Sequence, residues 1–394
     1  GGVGTETQII SAEVYKNQQQ EKFVAAVVER DENGEAYLPI YYKSRIYIDF
    51  CEPDNYADCF EKLLRWIYDK PLYKRPPLGN KPSFLEEKDD ITLGTSFLFK
   101  RVLTGLKESK SYVNGAIEEY LTTFSSNIEQ FKIESEPEKY DDELVEKIEA
   151  FIPYRNEFIQ ICISLCQYSE DVKIDKFHRF FETLIPYFKH RGNGRFYEHD
   201  SDVFKFIVYE LFLYYVAILL KYERFAELDE FLDREYMNNE DSYGSEVEGY
   251  LMFYNYLKSL EYRNERLRCQ KLSLFSSMIR DRAKHSNIDF LYLMQADFVL
   301  FLRAEHLYAN NWRRWWPQTL IYAEYTRKPL EIFFRAQSKK YFEKMKCVIG
   351  FDNEMELKSF IEEYYTNKRD IPRWQHCSFS PKGLANTNNL CIKK

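Results

Sequence analysis

The chain has 394 residues, a length that suits two or three domains, and 17% of them are aromatic, which excludes an intrinsically disordered protein. With 55 basic against 63 acidic side chains the net charge is −8, which argues against general nucleic-acid binding and leaves only a local basic patch for that purpose. Its 8 cysteines include no CxxC pair and read as free thiols of a reducing cytoplasm, and His376, Cys377 and Cys391 lack the fourth ligand and the paired spacing of a zinc site.

In chain order, the first stretch is GGVGTETQIISAEVY at 1–15, a glycine-rich loop that delivers a carboxylate onto the first turn of a helix. Ile9, Ile10 and Val14 are spaced for one apolar helical face, and the glycines before them let backbone approach a ligand closely. With Thr5 as N-cap, Glu6 stands in the first turn, where the helix dipole favours its charged form. Residues 23–28 are a short continuous apolar run, as in a strand of a parallel sheet buried on both faces. After Leu38, Pro39 and Ile40 a second strand is expected over 45–50. A helix follows over 56–68 with Phe60, Leu63, Leu64 and Ile67 on one side. The proline-rich segment 71–82 blocks helix continuation and is expected to be an extended strap between domains.

The order GGVGTE, II-AE-Y, KFVAAVVE, LP, YIDF, FEKLLRWIYDKP and PPLG resembles the second half of a bacterial SEFIR/TIR domain over residues 1–82, and the resemblance lies in order and spacing. It implies a partial flavodoxin-like parallel sheet wrapped by helices. It also implies that NAD is the substrate and that no cofactor is held: Glu6 would serve cleavage at the nicotinamide–ribose bond, with Gly2, Gly4 and Thr5 against the nucleotide. Self-association through this domain and a cytoplasmic role in bacterial anti-phage defence belong to the same expectation. A complete domain of this kind has two or three further strands before its glycine-rich segment, so residue 1 is expected to fall in mid-domain. Two readings of Glu6 stay open. A fixed carboxylate stabilises the oxocarbenium-like state of N-glycosidic cleavage, or the same group is an ordinary first-turn charge in a non-catalytic scaffold.

Past residue 82, apolar residues recur at three- and four-residue spacing, and the expectation is a large all-α region. It is divided into a helical connector (83–141), a sensor or assembly domain (142–366) and a basic C-terminal arm (367–394). Helices are expected over 91–107, 111–131, 142–168, 173–189, 201–221, 225–238, 247–263, 271–283, 288–308, 317–326, 330–345 and 354–366. The acidic, proline-containing run 135–143 is the clearest internal break. No fixed repeat period is found, which makes the region an irregular bundle. Residues 203–220 are the most apolar, yet Lys205 and Glu210 interrupt them, so they read as a buried helix and not as a membrane span.

Three places in this region carry functional alternatives. The loop 190–195 (HRGNGR) presents Arg191 and Arg195 to a phosphate, or is a helix cap followed by a turn. The run 311–317 (NWRRWWP) offers Trp312, Arg313, Arg314 and Trp315 to bases or to a protein partner, or contributes core tryptophans with arginines reaching outward. The tail 368–394 is a surface arm, or docks on nucleic acid or an acidic partner. No Walker loop, GxSxG elbow or HExxH motif occurs, so any enzyme activity rests on residues 1–82, and a trigger or partner protein for the helical region is expected without being named by the sequence.

Overall fold

A computed structural model describes residues 23–43, 45–52, 55–68, 70, 93–133, 140–188, 198–238, 246–309, 311–325 and 328–393. The chain divides into two compact units, 1–87 and 88–394.

In the first unit, β1 (Ala25–Val27) and β2 (Tyr47–Asp49) pair in parallel with Ala26 opposite Ile48. The connection between them is irregular. Asp31 closes a turn by accepting from the amides of Asn33 (2.9 Å) and Glu35 (2.8 Å), with Gly34 at φ +82°, a value that favours glycine. Tyr42 then clamps the entry to β1: its hydroxyl donates to the Phe23 carbonyl at 3.0 Å and accepts from Ala25 N at 3.1 Å. At the end of β2, Asp49 accepts from Cys51 N at 3.0 Å and pairs with Arg30. Its hydrogen bonds from Cys51, and then the Arg30 guanidinium, hold its carboxyl down at about 2. Helix α1 (Tyr56–Ile67) docks on the strand end through Cys59, whose thiol donates to the Asp49 carbonyl at 2.9 Å. Cys59 is the buried residue of α1, while Phe60, Leu64 and Ile67 remain 46%, 39% and 56% exposed.

The second unit is mainly helical. Helices α2 (Ser96–Lys107), α3 (Val113–Asn127), α4 (Tyr140–Ala150), α5 (Ile152–Tyr168) and α6 (Ile174–Leu184) lead to α7 (Asp202–Lys221). Helix α7 is apolar on every side, and such a helix is stable only when surrounded. From Asp202 to Leu220 all of its residues but Lys205 are buried, against α4, α5, α8 (Phe225–Asp233) and α11 (Phe290–Leu307) among others. It forms the greater part of His199–Lys221, the single helical stretch among the described residues long and apolar enough to cross a membrane, and 94% of that stretch's most apolar window lies inside the protein. One carboxylate sits at its middle. Glu210 receives Arg155 at 2.9 Å and two nitrogens of Arg282 at 2.9 and 2.7 Å, and all three residues are at most 2% exposed. Burial pulls the Glu210 carboxyl up, but Arg282 and then Arg155 outweigh it and hold it below the ordinary glutamate range.

Several expected elements differ. The expected helix 142–168 is two helices, α4 and α5, joined at Phe151, because Pro153 has no N–H to donate and stands in the first turn of α5, where none is needed. The expected helix 247–263 begins instead as β4 (Glu246–Glu248), antiparallel to β3 (Tyr236–Asn238), continues as a 3-10 turn Tyr250–Phe253 and becomes helical as α9 (Lys258–Arg266). Tyr250, Leu251, Met252 and Phe253 are consecutive and all buried, which a single amphipathic helix face cannot achieve. The expected helix 317–326 is a 3-10 helix, Gln318–Tyr325. Within the second unit α2 and α3 pack on α5 and α6.

The tail is not an extended arm. A hairpin of β5 (Arg373–Trp374) and β6 (Cys377–Ser378) leads into a short helix, Pro381–Leu384, capped by Ser380 accepting from Gly383 N at 3.1 Å. Its last residues knit onto the junction of α12 (Glu331–Arg335) and α13 (Lys339–Ile349): Cys391 N donates to Ala336 O at 3.0 Å and Lys393 N to Gln337 O at 2.8 Å. Trp374, Phe379, Leu384 and Leu390 are buried, so apolar side chains hold down a segment whose polarity suggested solvent. Two of its cations meet acids of the same chain, Lys382 2.6 Å from Glu362 and Arg369 2.6 Å from Glu363.

Candidate functional site

Glu6, Gly2, Gly4 and Thr5, the expected catalytic and substrate-binding residues, lie outside the described residues, as do Arg191 and Arg195, the strap 71–82 and the break 135–139. The described candidate is the loop 311–317, which leaves α11 and enters the 3-10 helix Gln318–Tyr325.

Asn311 sets the loop by accepting from Arg313 N at 3.0 Å, a local turn that sends neighbouring side chains in different directions. Trp312 is 79% exposed, with the Arg313 guanidinium 4.4 Å from its ring centre. Arg313 also forms an ion pair with Glu248 at 2.7 Å that is not aligned as a hydrogen bond. Trp315 goes the other way. Its indole N–H donates to Asp297 at 2.7 Å, and its ring stacks on Tyr209 at 5.6 Å. The expectation that Trp315 contacts a partner or a base is therefore corrected: at 1% exposure, with its one donor satisfied, it has no free face to offer.

Asp297 is the staple that fixes this loop. Besides Trp315 it accepts from Thr319 N at 2.7 Å and Thr319 Oγ1 at 2.8 Å, with Tyr209 OH more distant at 3.5 Å. Complete burial pushes its carboxyl up to about 6, against the pull of those donors.

With Trp315 pinned inward, Arg314 and Trp316 line an open groove of about 470 Å³ together with Tyr254, Tyr256, Glu261 and Trp374. Trp316 meets Trp374 edge-on at 5.6 Å. Tyr254 is oriented from behind: Gln318 Nε2 donates to its hydroxyl at 3.0 Å, and Gln318 Oε1 in turn accepts from Ser276 at 3.0 Å and Ser273 at 3.3 Å. Tyr256 is 60% exposed. The Arg314 side chain is 70% exposed and its nearest acid, Glu305, stands at 4.0 Å. Glu261 is half-buried on α9, and burial, then the charge of Glu265, pushes its carboxyl up.

Sequence reasoning found this loop through its tryptophans and arginines, but it missed Trp316 and the residues brought from other elements. Nothing local marks Tyr256, Glu261 or Trp374 as neighbours of Arg314. The only available signal was an arginine–tryptophan pair, Arg373 and Trp374, inside an otherwise polar tail.

A second, larger cleft of about 600 Å³ lies between α3 and α6 and is rich in charge. Its ions are largely spent on each other: Lys176 meets Glu118 at 2.5 Å, Lys173 meets Asp171 at 2.6 Å and Arg234 meets Asp175 at 2.7 Å. Among the described residues no three His, Cys, Asp or Glu side chains converge as a metal site requires. No protein-family model, curated protein or solved structure matches this chain.

Proposed function

We propose that the chain is a TIR/SEFIR-type effector of bacterial anti-phage defence that hydrolyses NAD at the nicotinamide–ribose bond, with the helical unit sensing a trigger or driving assembly. The observation that carries this reading is the parallel pairing of β1 and β2 followed by α1, in the order the resemblance requires. Parallel neighbours need a crossover and are the unit from which doubly wound α/β sheets grow. The departure is that the connection between these strands contains a 3-10 turn, Ile40–Tyr42, where a crossover helix is usual.

The chemistry would rest on Glu6. As the nicotinamide leaves, the ribose gains oxocarbenium character, and a fixed carboxylate beside it lowers the energy of that cation. Replacing Glu6→Gln keeps the size and removes the charge. NAD consumption by the triggered or clustered protein is expected to fall by about two to three orders of magnitude, the scale for losing one preorganised electrostatic group. Circular dichroism of the variant is expected to be unchanged, since an exposed first-turn charge is worth under about 1 kcal/mol. Undiminished turnover in the E6Q protein sinks the catalytic assignment.

A second reading has its own observation. The apolar stripe of α1, Phe60, Leu64 and Ile67, stands open, and an open stripe favours association between copies of the unit. On that reading the first unit is a non-catalytic scaffold. Absence of NAD turnover in the clustered wild-type protein, together with self-association that depends on this stripe, would decide for it.

A further inference from the structure

Arg314 and Glu261 line one groove and yet do not pair. Among the described residues Arg314 reaches only Glu305, at 4.0 Å, and Glu261 has no ion pair. Opposite charges on a shared groove that stay apart leave room for a ligand whose own charges or dipoles are apart. Aromatic rings line the same groove: Trp316, half-buried and braced edge-on by Trp374, and Tyr256, 60% exposed. The groove's volume, about 470 Å³, falls in the roughly 300–1,000 Å³ range of small-molecule sites.

We propose that this groove binds a free mononucleotide whose base carries an exocyclic amine, with the base against Trp316 and Tyr256, the amine donating to Glu261 and the phosphate facing Arg314. Each group has its physical reason. Aromatic side chains stack on any base. A carboxylate accepts from an exocyclic NH₂ and repels a carbonyl oxygen in the same place. A guanidinium matches phosphate geometry. Glu261 is already disfavoured as an anion by burial and by Glu265, so an N–H donor supplied by a ligand relieves a cost that the protein alone does not. A free amino acid fits less well, because its ammonium and carboxylate sit on one carbon, whereas base amine and phosphate lie at opposite ends of a nucleotide. The overall charge of −8 argues for a mononucleotide and against a polyanion. The proposal does not depend on the chemistry assigned to Glu6.

Isothermal titration calorimetry of the full chain with AMP, IMP, adenosine and N-acetylarginine amide tests it. AMP is expected to saturate one site, with IMP, which carries an oxygen where AMP carries the amine, about tenfold weaker. Arg314→Gln is expected to weaken AMP about three- to tenfold while leaving adenosine unchanged, a modest factor because the side chain is solvated. Glu261→Gln is expected to abolish the preference for AMP over IMP, and Trp312→Phe, outside the groove, to change nothing. The proposal is overturned if AMP shows no saturation up to about 5 mM, the weak end of specific binding, or if its affinity survives both R314Q and E261Q. It is equally overturned if N-acetylarginine amide saturates the site where AMP does not, or if a short oligodeoxyadenylate binds more tightly than AMP.

Discussion

Helices α1 and α7 are both built around apolar side chains, and they meet opposite fates. Helix α7 is enclosed on every side, down to a carboxylate held by two buried arginines, whereas α1 buries Cys59 and leaves Phe60, Leu64 and Ile67 open. Local sequence explains why each is a helix. What separates them, among the described residues, is the number of neighbours: α7 lies among α4, α5, α8 and α11, while α1 leans on the end of β2. An apolar helix face is thus a demand for partners, and only the assembled structure shows whether the demand is met.

The largest effect is expected at the centre of α7. Glu210→Gln leaves Arg155 buried without its counter-charge and Arg282 with only Glu149, at 3.3 Å, and breaking such a group costs about 3–5 kcal/mol. Urea denaturation of the full chain reads this, and a loss under about 1 kcal/mol would mean that water reaches the two arginines. The same chemical change on the two helices sharpens the contrast. Leu219→Ala, at a position 1% exposed, is expected to cost about 2–5 kcal/mol. Leu64→Ala, at a position 39% exposed, is expected to cost under about 1 kcal/mol. Equal losses would break the comparison.

Next in size is a pH effect in which two buried carboxylates act with opposite sign. Glu210 is held below its ordinary range, so its contribution is present above the unfolded pKa and lost as pH falls through the folded one. Asp297 is raised to about 6, so the folded protein binds more protons than the unfolded chain between roughly pH 4 and 6, and stability from this group declines as pH rises through that window. The stability of the wild-type protein relative to Asp297→Asn is therefore expected to fall by about 2 kcal/mol between pH 4 and 7. A flat difference across that range would show that the donors from Trp315 and Thr319 outweigh burial. The smallest effect on folding is expected from Leu64→Lys, under about 0.5 kcal/mol for a surface change. Its readout is sedimentation: loss of self-association in this variant alone supports the scaffold role of α1, and an unchanged association state removes it.

The α1 stripe, the places of β1 and β2 and the buried character of α7 were legible in the sequence, because period and apolarity are local properties that a dozen residues express; the expected burial of the run 23–28 on both faces was not met, since Ala26 is exposed and Val28 is 70% exposed. Tyr250–Phe253 was not, since four consecutive buried residues satisfy several neighbours at once and break any single-face pattern. The tail misled in the same way: Trp374, Phe379 and Leu390 are too few and too widely spaced to announce a packed segment, yet each finds a place prepared by distant helices. At the candidate site the sequence pointed to the tryptophan–arginine run and could not rank its members. Trp315 and Trp316 are adjacent and equally apolar, and the difference between a core residue and a groove wall was decided by Asp297, a carboxylate on another element that captures one indole N–H. Sequence by itself determined most of the long helices and the two parallel strands, because backbone preference and side-chain period are set within a few residues. Only the tertiary structure decided which charges are paired, which tryptophan is free and which apolar face stays open, because burial and pairing depend on partners that the chain brings from far away.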